Sequence, residues 1–348
     1  MAEITIKDIA KQCGVGISTV SRAINNHPDI NPKTRKMVMQ VIEETGFIPN
    51  NSARNLKRTD AKCIAVLVKG ITNPFFSSMI QIIEEETQKN KYALVLRHVE
   101  AQEDEIDVAL ELEKEKRLRG IVFLGGRFTH SEEKLGKLKV PFIFSTIGID
   151  ISDSIDRIEF SNITVDDKLE SEKMTEYLLS LGHRQIAFVT ERPEESIGRR
   201  RIEGYREAFI KRGLAVPEQL ICYVQEEVDH FSMENGYLTA KNLLESEEYV
   251  TAIYAASDTL AIGVCRAVLE SGKRSPEDIS VAGYDGIELG EYYNPKLTTI
   301  KQPVEEMAKK TIRVLLDVIA GREEHQQIIF PAQLVEREST AAIRVNSK

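Results

Sequence analysis

The chain has 348 residues, a formal net charge of −9 and a hydrophobic content of 42%. A chain of this length is too long for one ordinary hydrophobic core, so we expect two or three compact units. No stretch approaches the run of about 20 apolar residues that a membrane span needs, and the polar, periodic N-terminus is unlike a signal peptide. These features predict a cytoplasmic protein with no membrane partner.

The four cysteines lie far apart and form no C-x-x-C pair: Cys13, Cys63, Cys222 and Cys265. This spacing argues against a zinc site or a disulfide framework, so we expect reduced thiols, no metal and no cofactor. The charge is unevenly distributed, since residues 1–60 hold nine Lys and Arg against six Asp and Glu and the remaining 288 residues carry −12. A mildly basic head on an acidic body is compatible with a nucleic-acid partner.

Three helices are predicted within residues 1–49. The first is indicated by apolar residues at i, i+3, i+4 and i+7: Ile6, Ile9, Ala10 and Cys13. A Gly-Val-Gly turn at 14–16 leads into the second. The third begins at Asn31, a good N-cap followed by Pro32, and ends at Gly46. Its apolar stripe consists of Val38, Val41 and Ile42, and the three stripes can close one small core.

The second helix, within GISTVSRAIN at residues 16–25, has two unlike faces. Val20, Ala23 and Ile24 share an apolar face, while short hydroxyl and amide side chains surround Arg22 on the other. In a helix-turn-helix arrangement this helix enters the major groove of DNA. An ordinary amphipathic helix is the alternative, because periodicity does not show what the polar face meets.

The polar face carries side chains suited to DNA. Arg22 can donate two parallel hydrogen bonds to a guanine, a contact worth about 1–3 kcal/mol against a wrong base. Ser18 can reach a base edge, and Ile17 can pack on a thymine methyl, although its spacing with Val20 and Ile24 also fits the core. Other side chains suit phosphate oxygens: Thr19, Ser21 and Asn25. The predicted DNA-binding set also includes Thr5, Asn31 and Lys57.

The stretch IPNNSARNLKRT, residues 48–59, is a linker by default, because a helix this short is not stable alone in water. Ala53 and Leu56 nevertheless share one face, with basic residues around them. That pattern suits a helix that becomes ordered on DNA and inserts an apolar wedge between minor-groove base steps. We therefore predict a hinge helix and linker at 50–60.

From residue 61 on, short apolar strands alternate with helices. The strand segments CIAVLV, YALVLR, GIVFLG and FIFS are followed by a second set, QIAFVT, LICYV, AIYAAS and ISVAGY. Such alternation implies parallel sheets covered by helices on both faces. Two stretches that begin IAVLVKG and IAFVTER share the order strand, loop, helix. The body is therefore predicted to consist of two similar α/β subdomains.

The head sequence TIKDIAKQCGVGISTVSRAINNHPDINPKTRKMVMQVIEETGFIPNNSARNLKR resembles the DNA-binding head of the lactose repressor and galactose repressor family of bacterial transcriptional regulators. The body carries landmarks of the same family in order, among them ITNPFF (71–76), RGIVFLGG (119–126), LGHRQIAFV (181–189), SDTLAIGV (257–264) and DISVAGYDG (278–286). The resemblance covers nearly the whole chain.

The fold that this resemblance implies is a small all-α helix-turn-helix head and an α/β body of two periplasmic-binding-protein-like subdomains with parallel sheets. The chain is expected to cross between the subdomains three times. One subdomain would then comprise 61–162 with 292–325, and the other 163–291 with 326–348.

The function that the resemblance implies is transcriptional regulation by a homodimer on a pseudo-palindromic operator, with repression the expected outcome. Ile17, Ser18 and Arg22 would read bases, and Leu56 would wedge into the minor groove beside Ala53. A phosphoprotein corepressor, as in catabolite control proteins of this family, is a further partner that the sequence leaves open.

A small-molecule effector is expected in the cleft between the subdomains, at the carboxyl ends of the strands. Arg201 and Asp285 match the family's effector-binding arginine and aspartate, and Phe231 its stacking aromatic. A guanidinium and a carboxylate beside an aromatic ring suit a sugar. Phe75 and Phe76 follow the first strand, where core packing is the alternative. The predicted effector residues are completed by Asn73, Ser257 and Asp258.

One departure from the family's pattern follows VPFIF, where the family often has an aspartate and this chain has Thr146. With Arg127, Arg199 and Arg200 nearby in sequence, the lost carboxylate suggests an anionic ligand such as a uronate or a sugar phosphate. The alternative is that these arginines belong to the solvated surface.

Two other protein classes share parts of this pattern. A sugar-binding transport protein has a similar body but no such head. An α/β enzyme is disfavoured, because the chain has no G-x-S-x-G, P-loop or H-E-x-x-H motif. Asp166 and Asp167 resemble a catalytic or metal-binding pair, but they open a helix, where carboxylates favour the helix dipole. We therefore expect a regulator without catalytic residues.

Overall fold

The computed structural model describes residues 4–24, 27–47, 62–100, 102–127, 129–148, 159–193 and 197–343. The chain forms two compact units that divide between Ala61 and Lys62. The predicted hinge helix and four predicted DNA contacts lie outside the described residues: Asn25, Ala53, Leu56 and Lys57. Within the described ranges, no helix is long and apolar enough to cross a membrane.

Over residues 4–24 and 27–47 the first unit forms three packed helices: α1 (Ile6–Cys13), α2 (Ile17–Ile24) and α3 (Pro32–Thr45). Its core includes four residues with no exposed surface: Ile9, Val20, Ala23 and Val38. The Asn31 side chain accepts a hydrogen bond of 2.9 Å from the backbone N–H of Lys33, which caps α3. Gly14 and Gly46 follow α1 and α3 in the left-handed conformation. The predicted three helices and their shared core are confirmed.

The described residues of the second unit form two six-stranded sheets, and the first of them is entirely parallel. Its strands are β1 (Cys63–Lys69), β2 (Ala93–Val99), β3 (Leu118–Leu124), β4 (Phe142–Ser145), β5 (Ser161–Val165) and β11 (Gln327–Phe330), in the order β11-β5-β4-β3-β1-β2. Its helices are α4 (Pro74–Lys89), α5 (Glu105–Glu115), α6 (Glu132–Leu135) and α12 (Val304–Ile319). Alternate residues of β1 enter the apolar cores on opposite faces, Ile64 and Val66 on one and Ala65 and Leu67 on the other.

The second sheet repeats this plan with one antiparallel edge. Its strands are β6 (Ile186–Thr190), β7 (Ile221–Tyr223), β8 (Ala252–Ala255), β9 (Ser280–Asp285), β10 (Thr298–Lys301) and β12 (Gln333–Val335), in the order β12-β10-β9-β8-β6-β7. Only β12 runs antiparallel to its neighbour. Its helices are α7 (Asp167–Ser180), α8 (Gly198–Lys211), α9 (Met233–Glu245), α10 (Asp258–Glu270) and α11 (Leu289–Tyr292). The predicted fold class is confirmed.

The chain passes between the two sheets after β5, after β10 and between β11 and β12. The predicted boundaries placed 292–325 in the first subdomain and 326–348 in the second, and they are wrong for two strands. Strand β10 pairs with β9 in the second sheet, and β11 pairs with β5 in the first. The reason is that strands as short as TTIK and QIIF have too few residues for their pattern to identify the sheet that they join.

Helices α9 and α10 meet backbone to backbone. A Cβ atom at Gly263 would overlap the carbonyl oxygen of Met233, and one at Gly236 would overlap the backbone of Leu260. The two glycines therefore allow an approach that any larger residue would prevent. This packing fixes the position of α10 beside β8 and β9.

We expect Gly263→Ala to lower the free energy of unfolding by about 1–3 kcal/mol, because the added methyl forces the two helices apart. Urea titration of the full chain, followed by circular dichroism, measures this loss. Arg266→Ala on the exposed side of the same helix is the matched control and should stay within about 0.5 kcal/mol of the parent. An equal loss in both variants would contradict the packing argument.

Candidate DNA-binding surface and ligand cleft

The outward face of α2 carries the residues that were predicted to read bases. Ile17 is 45% exposed, so its alternative assignment to the core is wrong. Ser18 and Arg22 are also exposed, while Thr19 and Ser21 are half-buried beside them. The helix thus presents one guanidinium, several hydroxyls and one apolar side chain away from the core, a mixture that suits the floor and edges of a DNA groove.

Two other predicted DNA contacts lie at helix starts. The carboxylate of Asp8 accepts hydrogen bonds from the backbone N–H and the hydroxyl of Thr5, at 2.9 and 2.6 Å. These bonds lower the pKa of Asp8. Thr5 and Asn31 both remain exposed, so each caps a helix while facing solvent.

The second unit has a cavity of about 690 Å³ between its subdomains. Its walls are formed by residues at or after the carboxyl ends of β1, β2, β3 and β4 in the first sheet and of β6, β7, β9 and β10 in the second. Parallel strands place ligands at this end. Six of the predicted effector residues line the cavity: Asn73, Phe75, Phe76, Arg201, Phe231 and Asp285.

Arg201 is the buried cation of the cleft, with 5% of its surface exposed. Its guanidinium lies 2.9 Å from Oδ1 of Asp167, donates to the carbonyl oxygen of Ala256 and stacks 3.7 Å from the ring centre of Tyr284. Burial alone would lower the pKa of Arg201, but the facing carboxylates and tyrosines raise it above its ordinary value. The group is therefore a fixed positive charge and hydrogen-bond donor.

Asp285 faces Arg201 and joins the two subdomains. Its oxygens accept hydrogen bonds of 2.9 Å from the side-chain amides of Asn73, in the loop after β1, and of Gln302, directly after β10. Its backbone has φ = 111°, which is rare for a residue other than glycine. Burial raises the pKa of Asp285 to about 6.

A second hydrogen bond crosses the cleft nearby. The Thr72 hydroxyl donates to Oδ2 of Asp229 at 2.6 Å. Asn73 also caps α4, because its Oδ1 accepts from the backbone N–H of Phe75 at 3.1 Å. The loop after β1 thus bonds to the second subdomain at two adjacent residues.

Aromatic rings form part of the cavity wall. Phe75 is 3% exposed and belongs to the core as well as to the wall of the cavity. Phe76 lies edge-on to it, with ring centres 5.3 Å apart, and is half-buried. Phe231 lines the second subdomain's side, where its carbonyl oxygen accepts from the Thr259 hydroxyl. Rings of this kind bind the C–H face of a sugar.

The structure does not bring Ser257 and Asp258 to the cavity, and this corrects their predicted role. Both are fully buried. Ser257 caps α10, and Asp258 accepts hydrogen bonds of 2.8 Å from the backbone N–H groups of Gly286 and Ile287. The strand end was identified correctly, but Ser257 turns to cap the helix and Asp258 turns to hold the loop that follows Asp285.

Two partners of Arg201 and Asp285 were not predicted from the sequence. Asp166 caps α7 as expected, with its Oδ1 accepting from the N–H of Leu169, but Asp167 turns inward as the counter-ion of Arg201. Gln302 was not assigned, although it binds Asp285 and is 3% exposed. The sequence does show two consecutive acidic residues after a strand. It does not show which of them caps the helix and which pairs with Arg201.

The arginines that suggested an anionic ligand do not converge. Arg127 lines the cavity, and its backbone N–H donates to the buried carboxylate of Glu105 at 2.5 Å. Arg199 and Arg200 form ion pairs with Glu203 on α8 instead. Thr146 lines the cavity with φ = 78° and accepts from the N–H of Gly125 through its hydroxyl. Thr146 is therefore an uncharged hydrogen-bonding residue of the cavity wall.

Two family models match the chain. Residues 5–50 match the bacterial regulatory proteins of the lacI family, and residues 175–340 match the periplasmic binding protein-like domain. The HTH-type transcriptional regulator MalR of Clostridium butyricum is 36% identical over 338 residues, which cover 97% of this chain and 99% of that protein.

Solved structures show the same architecture. The lac repressor dimer bound to operator and the anti-inducer ONPF superposes with a TM-score of 0.75 at 26% identity, covering 98% of this chain and 100% of that one. The complex of the transcriptional regulator CelR with cellobiose gives 0.70 at 27% identity, covering 97% and 99%. A regulator from Enterococcus faecium with bound ribose gives 0.70 at 31% identity, covering 81% and 100%. The chain therefore belongs to the lacI family and is a DNA-binding transcriptional regulator, not an enzyme.

Proposed function

We propose that this regulator binds its operator as a homodimer and that a neutral sugar in the cleft controls that binding. The observation that carries the proposal is the pairing of a fixed guanidinium, Arg201, with a hydrogen-bonded carboxylate, Asp285, inside a cavity walled by Phe76 and Phe231. Donors, acceptors and aromatic faces together match the hydroxyl and C–H surfaces of a sugar ring.

The charge of the cavity favours a neutral ligand over the anionic one. Six carboxylate residues line it: Glu100, Glu191, Glu226, Glu227, Asp229 and Asp285. They face four Lys and Arg residues, which are Lys69, Arg127, Arg192 and Arg201, and two histidines, His98 and His230. The guanidinium of Arg201 is already matched by Asp167. A uronate or sugar phosphate would therefore enter a site with an excess of negative charge.

Control of DNA binding follows from the bonds that cross the cleft. A ligand changes an equilibrium only through a difference in its affinity for two conformations. A sugar that bonds to Asp285 competes with the Asn73 amide for the same oxygens, so its binding changes the free energy that holds the subdomains together. The predicted hinge segment at 50–60 would carry this change to the head, and a coupling of about 1–3 kcal/mol would be ordinary.

For the head we propose that Arg22 and Ser18 contact base edges, that Ile17 packs on a thymine methyl, and that the caps of α1 and α3 bind phosphates. The operator-bound lac repressor, similar over 98% of this chain, supports a dimer on DNA. A phosphoprotein partner stays a prediction of the resemblance; catabolite control protein A of Priestia megaterium is 29% identical over 97% of this chain.

The central test combines DNA selection with calorimetry. We expect selection from random duplexes to recover a palindrome, and one neutral sugar from a panel of neutral and acidic sugars to bind and change operator affinity. Failure to prefer any duplex would contradict the operator proposal. Tight binding of acidic sugars alone would contradict the proposal that the effector is a neutral sugar.

We expect Arg22→Ala to remove the preference at one base pair of each half-site, with a loss of about 1–3 kcal/mol against the selected operator. Fluorescence anisotropy on operators substituted at each position measures this. Lys36→Ala, also an exposed basic residue of the head, is the control and should leave base preference unchanged. A uniform loss on all sequences in Arg22→Ala would place Arg22 on the phosphate backbone instead.

We expect sugar affinity to fall as the pH drops through about 6, because protonation removes an acceptor oxygen from Asp285. Asp285→Asn should weaken binding at pH 8 by about 1.5–3 kcal/mol, roughly tenfold to hundredfold, and should flatten the pH profile. Calorimetry from pH 5 to 8 measures both effects.

The control for this experiment is His230→Gln, because His230 also titrates in the cavity. Glu191 raises the pKa of His230 by facing its ring. If the pH dependence of sugar affinity disappears in His230→Gln but persists in Asp285→Asn, the titrating group is the histidine.

A further inference from the structure

A buried carboxylate lies directly behind one part of the cavity wall. Glu105, in the first turn of α5, has a side chain that is 2% exposed. The loop after β3, residues 125–127, lines the cavity and lies against this side chain. A Cβ atom at Gly126 would overlap Oε1 of Glu105, and the backbone N–H of Arg127 donates to the same oxygen at 2.5 Å. One carboxylate therefore holds this loop in place.

His130 faces the same carboxylate from the segment that follows the loop. Its side chain is 1% exposed, and its Nε2 lies 3.6 Å from Oε1 of Glu105. The imidazole stacks on the ring of Phe144 in β4, with ring centres 5.0 Å apart. Nε2 of His130 and Oε2 of Glu105 both lack a hydrogen-bond partner among the described residues. Two buried polar groups thus face each other without the hydrogen bond that burial normally requires.

The second nitrogen of the imidazole explains this gap. The ring is hydrogen-bonded to the backbone of Arg127, and this bond raises the pKa of His130, so the ring is the donor. Because Nε2 has no partner, the bond uses Nδ1. A neutral imidazole carries a single N–H, so Nε2 then holds a lone pair that faces the carboxylate of Glu105. Their separation is longer than a hydrogen bond, and one added proton would join the two groups.

Charged groups from β1, α5 and α6 surround the pair. The ammonium of Lys69, at the end of β1, lies 3.5 Å from Oε2 of Glu105 and donates to the carbonyl oxygen of Glu103 at 2.8 Å. Asp104 begins α5 and pairs with Lys134 of α6 at 2.8 Å. The charge of Asp104 is thus matched by Lys134, whereas the carboxylate of Glu105 lies between Lys69 and the imidazole.

These surroundings decide when the imidazole is charged. Burial has the largest effect and lowers the pKa of His130 below its ordinary value. The charges of Glu105 and Asp104 raise this pKa, and the charge of Arg127 lowers it. Burial prevails, so the ring is uncharged at neutral pH and gains a proton only on acidification.

We propose that Glu105 and His130 form a proton-binding pair behind the cavity wall, and that uptake of one proton closes their 3.6 Å gap and draws residues 125–127 toward α5. The proton comes from the solvent, and no covalent bond other than the one to this proton changes. Because residues 125–127 line the cavity, the proton alters the shape of its wall. The pair acts in the protein without a ligand, so it does not depend on the proposed sugar.

The experiment is NMR on the full chain labelled with ¹⁵N-histidine and ¹⁵N-arginine, titrated from pH 8 to pH 5 without ligand. We expect the ring signals of His130, identified by their loss in His130→Gln, to move with a midpoint below the ordinary value of a histidine. The amide signal of Arg127, identified through Arg127→Lys, should move with the same midpoint, because this N–H donates to the carboxylate that the new bond engages.

Two variants of Glu105 separate its charge from its role as an acceptor. Glu105→Gln keeps the size and an acceptor oxygen, and it should lower the midpoint of His130 further, because the carboxylate raises that pKa. The amide of Arg127 should then no longer follow His130. Glu105→Ala also removes the acceptor and should speed hydrogen exchange at the Arg127 amide by about tenfold or more.

The matched control is Asp107→Asn, which neutralises an exposed carboxylate of the same helix that pairs with Lys134. It should leave both midpoints unchanged. A midpoint of His130 that stays the same in Glu105→Gln, or an Arg127 amide that does not follow His130 in the parent, would overturn the proposal. Ring signals of His130 that do not move at all between pH 8 and pH 5 would overturn it as well.

Discussion

A guanidinium that is buried away from water must be matched by acceptors and negative charge, and the second subdomain is organised around one such group. Arg201 starts from α8 and meets the carboxylate of Asp167, the carbonyl of Ala256 and the ring of Tyr284. These partners come from the start of α7, the end of β8 and β9. Removing the Asp167 carboxylate would leave this buried charge without its ion-pair partner, and the other two contacts help to hold the guanidinium in place.

Asp285, the second carboxylate that faces Arg201, also holds the two subdomains together. Asp285 accepts amide N–H groups from Asn73 and Gln302, and the loop behind it is anchored by Asp258. If a ligand bonds to Asp285 as proposed, recognition and closure use the same oxygens. In such an arrangement no separate relay is needed between ligand binding and subdomain movement, because a single exchange of hydrogen-bond partners serves both.

Much of this architecture could be predicted from the residues, and the exceptions share a cause. The cap at Asn31, the apolar stripe of α2 and the strand–helix alternation are local signals, and they identified the head and the fold class. Ser257 with Asp258, Asp167, and the sheet membership of β10 and β11 were misassigned or missed. Each of these depends on which way a side chain or strand edge turns in three dimensions, and order along the chain does not record that direction.

The last two strands have a consequence for how the protein is made. Strand β11 completes one edge of the first sheet and β12 one edge of the second, although they are separated by only two residues, Pro331 and Ala332. Until the ribosome has released this C-terminal stretch, β5 and β10 each present an unpaired backbone edge. Neither sheet can therefore be completed while the chain is still being synthesised. A chain truncated near residue 325 would expose two unpaired strand edges that are prone to aggregation.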